Sequence, residues 1–266
     1  MDFAVIFQLV LVGVLAGLLA GIFGVGGGLL VVPMLIILLP EKLLSPLLLT
    51  HSAVATSLAS IVFTGSVSAW RHYQRKGIDG YFARWLSIGV VFGAAIGAYL
   101  SRLVAAQQLQ YLIVVYEIMI AIRLLLPKYQ GVSSSLRQVS VRLNLSVGVI
   151  IGAVSSWLGI GGGSMSVPFL RWVGLDMRHA VATSALIGVP IALAASVTFM
   201  LMNPLEATMP PFSVGFVYLP ALLFIVLGSV FSVPVGVSLA HRLPQTWLQR
   251  AFALVLLTFA AIIAFK

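Results

Sequence analysis

Two stretches of the chain carry one pattern. Residues 23–35 read FGVGGGLLVVPML and residues 158–170 read LGIGGGSMSVPFL, 135 positions apart in a chain of 266. Both fit G-φ-G-G-G-x4-P, where φ is apolar. The first copy is Gly24, Gly26, Gly27, Gly28 and Pro33; the second is Gly159, Gly161, Gly162, Gly163 and Pro168. Adjacent glycines interrupt a helix, because glycine loses most freedom on ordering and leaves the backbone bare. Paired interruptions at matching positions of two membrane halves point to a transporter's binding region.

The rest of the chain supplies the membrane. Apolar residues make up 61% and charged residues 8%, which excludes an ordinary soluble domain. The net charge of +9 reads as basic loops on one membrane face, not as a nucleic-acid surface. With no cysteine there is no disulfide, thiolate metal site or cysteine nucleophile, and no cofactor is expected. Met1-Asp2 offers no basic n-region, so the first apolar stretch reads as a retained segment.

Ten apolar segments follow, five on each side of a polar linker. They are 3–23, 28–39, 47–70, 82–101 and 108–126, then 143–158, 163–173, 180–202, 213–239 and 248–265. The arms after each glycine run are short, about 15–18 Å at 1.5 Å per residue. That is about half a bilayer. Each glycine run is therefore expected to end a re-entrant hairpin near mid-membrane, lining a cavity that excuses its irregular backbone.

The repeat continues past the glycines. AVATS occurs at 53–57 and at 180–184, and GAYLSRL at 97–103 faces GVSLAHRL at 236–243. Loop 71–81 holds Arg71, Arg75 and Lys76, whereas its counterpart 203–212 has no Lys or Arg. If basic loops are cytoplasmic, equivalent loops lie on opposite faces. The expected fold is an all-α polytopic membrane protein of two inverted-topology repeats, each a re-entrant, broken-helix hairpin plus three transmembrane helices. The repeats are 1–126 and 143–266, joined by a cytoplasmic linker, 127–142. Both termini lie outside in this reading.

The glycine turns are also the first candidate site. Initial helix N–H groups have no intrahelical partner and carry partial positive charge. Glycine lets an anion approach them, so Gly24, Gly26, Gly27, Gly28, Gly159, Gly161, Gly162 and Gly163 are candidate anion ligands. Thr56, Ser57, Thr183 and Ser184, about one turn inside their helices, would add hydroxyls, as would Ser164 and Ser166. Hydroxyls of this kind otherwise bond their own helix. Val at Gly27 or Gly162 is expected to block anion binding and leave expression largely intact. By contrast, Gly13, Gly17, Gly21, Gly89, Gly93, Gly97, Gly148 and Gly152 recur every four residues and read as helix-packing positions. They also leave a homodimer open.

Three titratable groups are candidates for proton coupling. His51 and His179 sit at helix starts, and Glu117 lies deep in an apolar segment. The position matching Glu117 in the second half is apolar, near Leu256, which sets Glu117 outside the repeated site. Trp157 adjoins the second turn and could wall a cavity. Asp176 reads as a helix cap. Six prolines of the second half, Pro190, Pro204, Pro210, Pro211, Pro220 and Pro234, suggest kinks there.

The doubled glycine motif with its prolines, the AVATS segments, the length and the polar linker resemble the sulfite exporter TauE/SafE family of membrane permeases. The resemblance covers nearly the whole chain. It implies export, or uptake, of a small sulfur-containing anion such as sulfite, a sulfonate or sulfoacetate across a bacterial-type inner membrane. The partners implied are that anion and the lipid bilayer, with no nucleic acid. An anion channel, or an uptake permease for another small anion, is the alternative. No G-x4-G-K-[ST] motif is present, so a gradient would supply the energy. A hydrolase using Ser164 with His179 or His241 lacks any readable nucleophile–base spacing, and the protein is expected not to be an enzyme.

Overall fold

The computed structural model describes residues 3–23, 26–39, 45–126, 139–204, 209–239 and 245–265. Gly24, His241 and residues 127–138 of the linker fall outside that set, as do 205–208.

The described residues form ten helices, α1 (Phe3–Phe23), α2 (Gly28–Leu38), α3 (Pro46–Gln74), α4 (Gly80–Ser101), α5 (Ala106–Leu125), α6 (Val141–Leu158), α7 (Gly163–Val173), α8 (Met177–Leu201), α9 (Leu219–Leu239) and α10 (Gln245–Ala264). Seven of them, α1, α3, α4, α5, α6, α8 and α9, are long and apolar enough to cross a membrane. The chain is a multi-pass membrane protein. In α10 the apolar stretch is shorter, Gln249–Ala264. The two short arms, α2 and α7, have 11 residues each, as the glycine and proline punctuation predicts.

Helices from the two halves interlock. α1 lies against α9 and α4 against α6; α3 crosses α8, and α5 meets α10. Exchanging each helix for its counterpart in the other half reproduces these pairings. Small residues set the seams. A side chain at Gly13 would run into the backbone of Ile225, one at Gly17 into Ser229, and one at Gly21 into Val233 and Gly236. The numbers rise together, so α1 and α9 run parallel. Gly89 likewise meets Gly148, Gly93 meets Val149 and Gly97 meets Ala153, so α4 and α6 are parallel too. Gly65 faces Val189 while Gly77 faces Ala182, which makes α3 and α8 antiparallel. With little hydrophobic drive between helices in lipid, close backbone approach supplies much of the contact. These glycine faces are filled by helices of the same chain.

α3 is the most enclosed of the long helices. Its 29 residues span about 44 Å at 1.5 Å per residue. It starts at Pro46, which fits a first turn because the N–H that proline lacks would have no intrahelical partner there. The early start places Thr56 and Ser57 nearly three turns in, deeper than the AVATS repeat suggests. Gly65, inside α3, has only ordinary contacts at 3.5 Å with Ile61 and Val189. Gly65→Ala is therefore expected to stabilise the helix by about 0.5–1 kcal/mol, read as a raised melting temperature in detergent.

Basic residues gather at one end. The Arg178 guanidinium donates to the Arg75 carbonyl at 3.5 Å, and the Tyr81 hydroxyl donates to the Val139 carbonyl at 2.9 Å. The ends of α3 and the starts of α4, α6 and α8 thus share a face that holds Arg71, Arg75, Lys76, Arg84, Arg142 and Arg178. Asp176 caps α8, its carboxylate accepting from the His179 N–H at 2.8 Å. That bond is the main reason its carboxyl lies below the usual Asp range. The cap is thus intact at neutral pH and loosens only in acid, as pH falls through that lowered value.

One segment departs from the sequence reading. Residues 213–218 do not open a helix. Ser213–Val214 (β1) pairs antiparallel with Val217–Tyr218 (β2), and α9 begins at Leu219. Tertiary contact decides this: the Phe216 N–H donates to the Phe199 carbonyl at 3.1 Å, and Gly215 sits at φ 55 against the backbone of Met200. Of the six prolines, only Pro190 and Pro234 lie inside helices. Pro204, Pro210 and Pro211 belong to the connection, and Pro220 stands in the first turn of α9, where it is tolerated.

Candidate functional site

Each glycine run delivers the same local structure. Gly27 and Gly162 are the N-caps of α2 and α7, both left-handed, at φ 79 and φ 71, and neither helix start has a side-chain cap. The Gly27 carbonyl accepts from Leu30 and Val31, and the Gly162 carbonyl from Met165 and Ser166, which closes each first turn. A β-branched residue at such a φ is strongly disfavoured. A Cβ at Gly27 would also lie 2.7 Å from the Ala16 carbonyl oxygen, and one at Gly162 would strike the Ile191 side chain. Val at either position is therefore expected to strain folding as well as binding.

The two turns meet. A Cβ at Gly28 would run into the Gly159 carbonyl and come within 3.0 Å of Ile160 Cα; one at Gly26 would lie 3.6 Å from Gly161 Cα. Gly188 of α8 approaches the Gly161 carbonyl, and Val54 of α3 lies beside Gly159. Four glycines of the doubled motif, Gly26, Gly28, Gly159 and Gly161, thus share one contact enclosed by α3 and α8. Gly163 starts α7 just beyond it.

The predicted hydroxyls divide into two sets. Ser57 reaches the turns, its hydroxyl donating to the Gly159 carbonyl at 2.8 Å. Ser166 bonds Ser184 at 2.7 Å and donates to the Gly162 carbonyl at 2.9 Å, tying α7 to α8. Thr56 and Thr183 instead hold helix starts. Thr56 accepts from the Tyr218 N–H at 3.1 Å, and Thr183 from the Asp79 N–H at 2.9 Å. Tyr218 precedes α9 and Asp79 caps α4, so the repeated threonines perform one task in both halves.

Further residues belong to the site than the motifs indicate. Thr64 donates to the Gly26 carbonyl at 3.2 Å. Ser57, Ser60, Thr64 and Ser68 are buried at three- and four-residue spacing, one polar stripe along α3. That spacing is legible in the sequence once α3 is known to be enclosed. The Tyr116 hydroxyl pairs with Ser164 at 2.6 Å, joining α5 to the second arm. No repeat marks Tyr116. Ser57→Ala is expected to lower stability by about 1 kcal/mol, because it strips a donor from a buried carbonyl. Ser60, which bonds its own helix at the Ser57 carbonyl, should tolerate Ala; paired melting curves test the contrast.

Beside the contact lies a narrow crevice, too tight for a water-sized sphere. Gly28, Leu29 and Val32 line one wall, Leu158 and Ile160 another, and Ile113, Tyr116 and Glu117 of α5 the third. Glu117 is 1% exposed, and among the described residues neither of its carboxyl oxygens has a hydrogen-bond partner. The structure thus corrects the expectation that Glu117 stands apart from the glycine motifs. His51 is buried too, but its Nε2 lies 3.0 Å from the Ser101 carbonyl and its ring packs on Phe216. His179 is exposed and paired with Asp176 at 2.7 Å. Trp157 does not line the crevice; its indole N–H donates to the Gly97 carbonyl at 2.7 Å. No cluster of three or more potential metal ligands occurs among the described residues.

A family model described as Sulfite exporter TauE/SafE matches residues 9–263. A probable membrane transporter protein of Haemophilus influenzae is 36% identical over 262 residues, covering 97% of each chain. One of Bacillus subtilis, YdhB, is 26% identical over 261 residues, covering 92% of this chain and 95% of its own. A third, from Methanocaldococcus jannaschii, is 25% identical over 248 residues, covering 88% and 86%.

Proposed function

The chain belongs to the sulfite exporter TauE/SafE family of membrane transporters, and from that premise we propose that it moves a small sulfur-containing anion across the membrane. Sulfite, a sulfonate or sulfoacetate is the substrate class, and export by alternating access is the mode. One observation carries this reading: the two glycine turns touch inside the molecule, each at the uncapped start of a short helix. Two helix N-termini then bring partial positive charge to one place, which favours an anion over a cation.

The parallel pairs α1–α9 and α4–α6, with α3 and α8 antiparallel, support an inverted repeat. A half-turn about an axis across the helices exchanges the halves and reverses every helix direction. The basic face built from Arg71, Arg75, Lys76, Arg84, Arg142 and Arg178 supports a cytoplasmic placement of that end. In this reading the touching turns and the dry crevice belong to a closed state. The turns must part to admit the anion from either side.

A thermal-shift screen of the purified protein with sulfite, sulfate, thiosulfate, sulfoacetate and taurine tests the substrate class. Binding at 100 times Kd stabilises by about 2.7 kcal/mol, a readable shift. At least one sulfur anion should raise the melting temperature when chloride at equal ionic strength does not. No response to the whole panel would overturn the substrate class.

A further inference from the structure

We propose that Glu117 is the proton-carrying group of this transporter: its carboxyl holds a proton while the anion occupies the crevice beside Gly28 and releases it when the anion leaves. The inference rests on the anion-transport reading above. It deepens that reading by naming the coupling ion and the residue that binds it.

Position is the first argument. Glu117 lines the crevice walled by Gly28 and Ile160, two of the residues through which the turns touch. An anion held at those helix starts would face it directly. Two negative charges in one water-free crevice repel strongly, so the anion and the ionised carboxylate exclude one another. A protonated Glu117 removes the conflict.

Surroundings are the second. Burying an unpaired charge costs far more than burying the neutral acid. Among the described residues no cation borders the crevice to offset it, and Tyr116 is the only other titratable lining group. On α5 itself, Tyr111 and Arg123 are exposed. The elements against α5 add little. α2 has no titratable residue. On α3, His51 bonds the Ser101 carbonyl, and Arg71, His72 and Tyr73 stand in the last turn. Arg142 opens α6 and is exposed, Arg250 of α10 is exposed, and Arg171 of α7 donates to the Leu175 carbonyl.

A merely structural carboxyl would have hydrogen bonds to justify its burial. Glu117 has none among the described residues. The pseudo-equivalent place on α10 is filled by fully buried apolar Leu256, so the fold itself asks for no acid there. The preceding residue, Tyr116, is bonded to Ser164 at the start of α7. Separation of the turns would therefore carry α5 with the second arm and open Glu117 to water. The transfer balances simply: the O–H bond of Glu117 breaks to protonate water on the face where the anion departs. Hydronium on the loading face returns the proton and leaves water.

Difference infrared spectroscopy of the full-length protein in lipid tests this, from about pH 5 to about pH 9, a range wide enough for a buried carboxyl. Wild type should show a protonated-carboxyl C=O band that fades as pH rises and is missing from Glu117→Gln. Sulfate or thiosulfate, whose charge is fixed over that range, should hold the band to higher pH. By linkage, the affinity of wild type for the anion should fall about tenfold per pH unit above the titration, and that of Glu117→Gln should not. A wild-type band that is absent or does not change with pH would overturn the proposal. So would a sulfate or thiosulfate ion that binds, by thermal shift, and leaves the band unmoved. If the band titrates but no sulfur anion of the panel binds, the substrate reading fails and takes the coupling with it.

Discussion

Gly28→Ala is expected to cut transport by roughly 5- to 150-fold while the protein still assembles. Gly28 is the first residue of α2, where Ala is intrinsically the better helix former by about 1 kcal/mol. Packing opposes that preference. The added methyl would strike the Gly159 carbonyl, lie 2.8 Å from Ile61 Cδ1 and lie 3.0 Å from Ile160 Cα. The Ile61 methyl can rotate away; the backbone of the facing turn cannot. Overpacking of this kind costs about 1–3 kcal/mol. Here the cost falls on the conformation in which the turns touch, and a bias of that size shifts a two-state balance by roughly the stated factor. Initial uptake rates in liposomes read the loss. A size-exclusion profile like that of wild type shows that the fold survives. Gly65→Ala, which meets no such contact, is the matched control. Wild-type transport by Gly28→Ala would remove the turn-to-turn contact from the mechanism.

Gly93→Val is expected to act on assembly instead. Gly93 lies in the α4–α6 seam, and its Cβ would fall on the carbonyl of Val149. Neither backbone can yield unless the helices part. Gly89, Gly97, Gly148 and Gly152 depend on the same close approach, so one displacement loosens the whole seam. The expected cost is about 3 kcal/mol or more, the upper end for overpacking. The variant should melt far below wild type in detergent or elute as aggregate. Gly17→Val, at the corresponding place against Ser229 and Ser232 of α9, should fail in the same way. If both variants melted like wild type, the packing of the two halves described above would be wrong.

The architecture was legible because its punctuation is local. The glycine runs followed by Pro33 and Pro168 fixed α2 and α7 to within a residue, and four-residue glycine spacing marked the seams between long helices. What escaped the sequence depended on tertiary contact. The apolar run VGFVY at 214–218 reads as membrane helix, yet Phe216 bonds the end of α8 and the segment pairs as a short hairpin. The AVATS repeat located Thr56 and Thr183, but a hydroxyl's partner is set by which helix start arrives beside it. In both halves that partner is the approach to the fourth helix. On sequence alone, the apolar linear counterpart of Glu117 sets it outside the repeated site. α5 crosses the contact between the turns, and a one-dimensional comparison of the halves does not register that crossing.

If the two glycine turns build one anion site that opens to alternate sides, anion on one side should exchange for anion on the other. Counterflow measures this most directly. Liposomes containing the purified protein are loaded with unlabelled sulfite, diluted, and given labelled sulfite outside. Entry should be saturable and faster into sulfite-loaded vesicles than into empty ones, with transient accumulation of label above equilibrium. Entry that rises linearly with concentration and is indifferent to internal sulfite would contradict it and leave a channel.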